Sequence, residues 1–265
     1  MDSETYISSV KAVVSSDPQG IRRPPLDFDA LAHTPFRTAL ERTVRPAPLK
    51  RLQIPRRGMR KNSLRLCLHE VEAISAQSLQ PISFALMKAE WLNVESDVAP
   101  KLAAAAEKWL NAWRMEDSAT VTANSMKMYD IAKQLLKDRR LSLRDPEEDP
   151  ASSLLLERDV DVQYLNEEHL IGCLRQALVV GVVAPPILIG SICNHLSRDK
   201  ELQRKLRENP SLIPAAMEES IRLYSHYRGF ARTTSKEVHL HAQVIRLKEP
   251  VTLCYTAANH DPEGF

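Results

Sequence analysis

Pro214-Ala-Ala-Met-Glu-Glu-Ser-Ile-Arg-Leu-Tyr224, followed by Tyr227-Arg-Gly-Phe-Ala-Arg-Thr233, is the stretch around which the rest of this 265-residue chain aligns. Pro214 suits the first turn of a helix, where its missing N–H would be unpaired in any case. Met217, Ile221 and Tyr224 recur at helical spacing and form one apolar face. Glu219 and Arg222 stand three residues apart, so their charges meet across one turn. Spacing alone reads them as an ordinary exposed ion pair, which adds little to stability.

The totals exclude several classes. A net charge of +2 offers no nucleic-acid footprint, which needs clustered positive charge. The basic run Lys50–Lys61 lies between apolar segments and reads as a solvated face. Cys67, Cys173, Cys193 and Cys254 are widely spaced without CxxC or CxH pairing, which argues against a metal site or a disulfide framework and fits a reducing cytoplasm. Asp2, Glu4 and Lys11 interrupt any leader pattern. Ala177–Cys193 approaches the ~17–25 apolar residues of a membrane span. Its central Pro185-Pro186, with Arg175 and His195 near its ends, reads instead as a buried helix, so no membrane span is expected.

Along the chain, residues 1–20 are polar and carry no sustained period, and they read as a poorly ordered lead-in before one domain over 21–265. A helix is predicted from Thr34, capped by its hydroxyl with Pro35 next, to about Val44. His33 and Arg37 would sit together at its start, where the helix N-terminus also favours an anion. Further helices are predicted over Arg57–Glu72, Ile82–Asn93, Lys101–Glu116 and Ala119–Arg140, with Trp109 and Trp113 as core anchors in the third of these. Asn166 caps a very long helix that Pro185-Pro186 should distort near Gly181. A charged helix over Asp199–Arg207 precedes the opening stretch, and strand signals follow at Val238–Leu240, Val244–Leu247 and Val251–Tyr255. The fold class is mainly α with a small β part.

This order of elements resembles the cytochromes P-450, the haem-thiolate monooxygenases, and most closely their soluble bacterial-type branch. Leu212-Ile-Pro-Ala-Ala-Met-Glu-Glu-Ser-Ile-Arg-Leu223 looks like the family's helix K, with Glu219 and Arg222 as its ExxR pair. The resemblance implies a buried pair that braces the haem-binding core. His33-Thr-Pro-Phe-Arg37 is similar to the HxxxR start of helix C, and Arg232 falls on the basic residue of the first strand after helix K. His33, Arg37 and Arg232 are thereby implied to hold the haem propionates. Asp145–Leu156 and Leu165–Gly181 resemble the approach to helix I, and Ala258-Asn-His-Asp-Pro262 resembles the segment after the strands, with His260 where arginine is usual. An incomplete fold is implied, helices C to K plus the following strands, truncated at both ends.

Departures from the family pattern carry their own expectations. The family's cysteine ligand lies in a glycine-rich loop after the Asn-x-Asp-Pro segment, and none of the four cysteines here has that context. After Gly181, Val182-Val-Ala-Pro-Pro186 replaces the family's acid and threonine, leaving no side chain to carry a proton. Glycine is also usual near Val162, Ala242 and Lys248. The reading is an oxygen- and haem-dependent monooxygenase of an apolar small molecule, in secondary metabolism, served by a ferredoxin or reductase and inactive by itself without the thiolate, with no catalytic residue assigned. The alternative is a noncatalytic protein that binds an apolar ligand or scaffolds a partner.

Overall fold

The computed structural model describes residues 4–8, 21–50, 80–95, 97–225, 227 and 229–264. The helix expected over Arg57–Glu72, most of the basic run and Cys67 lie outside the described residues. The helices are α1 Thr34–Arg42, α2 Pro46–Lys50, α3 Gln80–Trp91, α4 Val98–Arg114, α5 Ser118–Leu141, α6 Pro150–Leu156, α7 Glu167–Arg198, α8 Lys200–Glu208, α9 Ile213–Leu223 and α10 Tyr255–Asn259. The strands are β1 Tyr6–Ile7, β2 Gly229–Thr234, β3 Val238–Leu240, β4 Gln243–Ile245 and β5 Pro250–Cys254.

The helix α7 is the axis of the molecule. Asn166 Oδ1 accepts the backbone N–H groups of Glu168 and His169 at 2.9 and 3.3 Å, the cap expected from the sequence. Glu167 and Glu168 in the first turn and His195 and Arg198 in the last complement the helix dipole. Leu170, Leu174, Leu178, Val179 and Val182 face inward and meet Leu102 and Ala106 of α4, Met128 and Leu135 of α5, and Ala85 and Ala89 of α3. Each such leucine contributes roughly 1.5–3 kcal/mol by leaving water. The helix is continuous through Pro185-Pro186, so the expected distortion near Gly181 does not break it. By length and composition α7 is also apolar enough to cross a membrane, although its first half is packed into this core.

Short acidic caps start the neighbouring helices. Asp117 accepts from Thr120 N–H, Asp149 from Ser152 N–H, and Asp199 from Leu202 N–H. Thr34 does not cap α1: it is the first helical residue, and no side chain accepts from the end of that helix. Of the tryptophans, Trp91 is buried and its indole N–H donates to Thr43 Oγ1 at 3.2 Å. Trp109 packs partly buried against the core as expected, but Trp113 is 44% exposed although the adjacent Ala112 is buried, since successive helix positions point to different faces.

Asp149 has a second role. Its carboxylate is fully buried and accepts Arg139 Nε at 2.9 Å, while Arg139 Nη2 donates to the carbonyls of Leu92 and Asn93 at 3.1 and 2.7 Å. One ion pair therefore ties the ends of α3 and α5 to the start of α6.

Another close contact is at Gly181, where an added Cβ would lie 1.5 Å from Cε of Lys88. The lysine stem crosses α7 in the groove left by the glycine, and its ammonium stands 4.1 Å from the Trp91 ring centroid. Burial of the ammonium lowers the Lys88 pKa from 10.5 to about 8.

The β part is small. The strands β1, β2 and β5 form an antiparallel sheet in the order β1-β2-β5, with Tyr6 opposite Thr234 and Arg232 opposite Val251. The lead-in is thus not structureless throughout: residues 4–8 supply an edge strand, since β2 offers them unpaired backbone groups. The strands β3 and β4 form a separate hairpin. Two of the positions where the resemblance calls for glycine adopt left-handed backbone, Val162 at φ 62° and Lys248 at φ 65°, and His241 beside Ala242 does so at φ 52°. A β-branched side chain is the least suited to that region.

These features generate three expectations. Asp149→Ala leaves a buried guanidinium without its counter-ion and α6 without its cap, so urea unfolding should show a loss of ~3–5 kcal/mol. Val162→Gly relieves a left-handed valine at an exposed site and should raise stability by ~0.5–1 kcal/mol, after the entropy cost of the glycine is subtracted. For Lys88, the unfolded chain keeps its proton up to the ordinary value while the folded chain releases it at about 8. Stability should therefore rise with pH between about 8 and 10.5. Gly181→Ala, which displaces the lysine, should flatten that rise in unfolding curves measured across the same range.

Candidate functional site

The site is built from α9 outward. Proline at 214 places Ile213 and the following residues in a helix whose last turn carries Arg222. Arg222 donates to both oxygens of Glu219, from Nη2 at 2.6 Å and from Nε at 2.8 Å. This fork-on-fork geometry suits a guanidinium and a carboxylate, and a lysine would not reproduce it. The hydrogen bonds from Arg222 hold the Glu219 carboxyl below the usual carboxylate range.

The guanidinium reaches further. Arg222 Nη1 donates to the carbonyl of Asn259, and Asn259 Nδ2 donates back to the carbonyl of Arg222 at 3.1 Å. These reciprocal bonds fasten α10 to the end of α9 across 37 positions of sequence. The pair is therefore a brace and not a lone surface contact. It is not buried as the resemblance implies: the Glu219 side chain is 53% exposed, because nothing among the described residues covers that face of α9. Asn259 was legible in the sequence only as part of Ala258–Pro262, and no local signal marks it as the partner of Arg222.

The remaining cationic residues occupy two separate elements. Arg232 lies half-buried on β2, with Nη1 donating to the carbonyl of Ala231 at 2.9 Å. Beside it, Thr233 Oγ1 is buried and has no hydrogen-bond partner. His33 precedes α1, with Nδ1 3.4 Å from Thr34 Oγ1. Arg37 is exposed and paired with Glu41 one turn on. The structure brings Glu219 and Arg222 together, and it sets His33 and Arg37 one turn apart, with the Arg37 backbone N–H donating to the His33 carbonyl at 3.1 Å; among the described residues no hydrogen bond or ion pair joins either of them to Arg232.

The donor set only half suits a haem. Guanidinium and imidazole groups match its propionates, but a haem-thiolate iron needs a cysteine thiolate. Cys173 is buried in the core, where desolvation pushes its thiol well above the ordinary range and keeps it protonated. Cys193 and Cys254 are exposed on α7 and β5. No group of three or more His, Cys, Asp or Glu suited to a metal occurs among the described residues. On α7 the residues after Gly181 are Val182, Val183 and Ala184, none of which carries a proton. The sequence reading also missed His195, whose Nδ1 stands 2.5 Å from the Tyr224 hydroxyl and latches the end of α7 to the end of α9.

No family model matches the chain. Among sequence relatives, it is 34% identical over 133 residues to the biotin biosynthesis cytochrome P450 of Bacillus subtilis, covering 50% of this chain and 32% of the relative. It is 32% identical over 155 residues to the mycinamicin IV hydroxylase/epoxidase of Micromonospora griseorubida, covering 56% and 38%. The matched stretch spans about a third of the length of these curated relatives. Among solved structures, CYP108D1 from Novosphingobium aromaticivorans superposes with a TM-score of 0.81 at 21% identity, over 100% of this chain and 66% of that one. Ligand-free cytochrome P450 TbtJ1 gives 0.79 at 23% identity, over 99% and 67%. In sequence over about half of its length, and in fold over all of it, this chain is similar to the bacterial cytochromes P450.

Proposed function

We propose that the chain is the scaffold of a haem-dependent monooxygenase that acts on an apolar small molecule of secondary metabolism in the cytoplasm, with electrons supplied by a ferredoxin or reductase. The observation that carries this reading is the bidentate Glu219–Arg222 pair locked to Asn259, with Arg232 on the strand that follows. A haem, when bound, supplies the activation of dioxygen from which one oxygen atom is inserted into substrate. The residues of this chain supply position and charge. Arg232, His33 and Arg37 are the residues that would hold its propionates, by charge-assisted hydrogen bonds. The apolar first half of α7 and the neighbouring α4 and α5 exclude water from the substrate side.

Proton delivery falls to water or a substrate hydroxyl, since Val182, Val183 and Ala184 cannot provide it. None of the three described cysteines suits the iron: Cys173 is buried and kept protonated, and Cys193 and Cys254 stand exposed on α7 and β5. The similarity to the mycinamicin IV hydroxylase/epoxidase of Micromonospora griseorubida supports a secondary-metabolic substrate. A noncatalytic apolar-ligand-binding or scaffolding protein is the second reading, favoured by the same lack of a suitable thiolate.

Haem titration separates the two. The protein should bind haem saturably, and its reduced carbon monoxide complex should lack the Soret position of a thiolate ligand. Arg232→Ala, and His33→Ala with Arg37→Ala, should each weaken haem binding by roughly 10–100-fold, the loss of charge-assisted hydrogen bonds worth ~1.5–3 kcal/mol. Absence of saturable haem binding would leave the noncatalytic reading, and a thiolate-type spectrum would overturn the assignment of the cysteines.

A further inference from the structure

Residues 21–33 lie against the first turns of α7, and the approach is close. An added Cβ at Gly172 would collide with the Arg22 carbonyl oxygen and would meet Ile21 Cγ2 at 3.3 Å, so the backbone of the segment rests directly on the helix. Ile21 is buried there. Three residues before Gly172, on the same side of α7, stands His169. Its half-buried ring meets Phe28 of the segment edge to face at 5.0 Å between centroids and Phe36 of α1 at 6.4 Å. The two phenylalanines meet each other in the same manner at 5.6 Å. These three rings join the segment, α1 and α7 at one point.

The charges around this imidazole bear on its proton. From the segment, the Arg22 guanidinium stands 4.6 Å from the Phe28 ring centroid, Arg23 is paired with Asp27, and the Asp29 carboxylate accepts the Ser8 N–H. From α1, Arg37 is paired with Glu41, and His33 Nδ1 lies beside Thr34 Oγ1. From α7 itself, Glu167 is paired with Arg140 and Glu168 is the next residue in sequence. Burial against the rings pushes the His169 imidazole below the ordinary histidine range; Glu168 opposes that shift and Arg22 adds to it. The N-terminus of α7, where Asn166 accepts the His169 N–H, also disfavours a cation. A cation–π contact with Phe28 would offset only ~0.5–1 kcal/mol of this, and that ring already receives Arg22.

We propose that His169 is an acid-released clasp: neutral, it packs edge-on against Phe28 and Phe36 and holds residues 21–33 on α7; protonated, it turns to water and frees the segment. An open segment lets the imidazole take up its proton at the ordinary value, whereas the packed one takes it up only at lower pH. The clasp therefore holds above the ordinary histidine value and loosens as pH falls through it. Because the segment leads into His33 and α1, its release also frees the entry to that helix.

Hydrogen exchange of the backbone amides of residues 21–33, each rate divided by its intrinsic value at the same pH, reads the clasp in the 265-residue protein without haem. Between about pH 7.5 and about pH 5, protection of the segment should fall by roughly threefold or more while that of α4 and α5 is unchanged. The ring protons of His169 should titrate over the same pH interval in nuclear magnetic resonance spectra. His169→Phe keeps an aromatic ring at the site and cannot take up a proton, so its segment should stay protected throughout. Gly172→Ala displaces the Arg22 carbonyl and should expose the segment at every pH while keeping the circular dichroism of the parent, which fixes the signal of the open form. Protection in the parent that does not change with pH, an equal loss in His169→Phe, or a loss that spreads to α4 and α5 together with the segment would each overturn the proposal.

Discussion

Burial of the first half of α7 is the constraint on which the rest of the structure depends. Leu170, Leu174, Leu178 and Val182 recur at four-residue spacing, so a single helix face enters the core and α3, α4 and α5 pack on it. Once that face is fixed, the far end of the helix carries His195 to Tyr224 and sets where α9 stands. Polar contacts then refine the assembly. Arg139 and Asp149, both buried, tie three helix ends together, and such a pair stabilises only while both partners and their remaining hydrogen bonds are present.

The second half of the chain obeys a different logic. Its order rests on hydrogen bonds and short caps instead of apolar burial: Arg222 with Asn259, Asp199 with Leu202, Asn209 with Ser211, and the β1-β2-β5 ladder. Such contacts fix geometry at modest net energy, since each replaces bonds to water. The apolar stripe on α9 is the exception, a strongly amphipathic helix with nothing described on its apolar side. This division matches the comparisons, in which the whole chain fits within two-thirds of a cytochrome P450.

Backbone strain follows the same division between family pattern and local sequence. Val162 and Lys248 stand where the family favours glycine, and the chain keeps the left-handed turns although it has lost the residue that makes them easy. Backbone hydrogen bonds hold both turns, from Val162 N–H to the Asp159 carbonyl at 3.1 Å and from Lys248 N–H to the Thr234 carbonyl at 2.9 Å. On the surface, Arg37 pairs with Glu41 one turn along α1.

Helix positions, the Asn166 cap and the Glu219–Arg222 pairing were legible in the sequence, because helical periodicity, Asn before a helix and a spacing of three are all local signals, whereas the Asp117, Asp149 and Asp199 caps were not read there. The Asn166 cap and the start of α9 at a proline were determined there within a residue or two. What only the tertiary structure decided is non-local. The pairing of Arg222 with Asn259, the edge strand Tyr6–Ile7, the Lys88 stem lying in the Gly181 groove and the exposure of Trp113 and Glu219 all join or separate residues distant along the chain. A sequence states which faces are apolar, but only packing states which of those faces meet, and on α9 it leaves Ile213, Met217 and Ile221 facing outward.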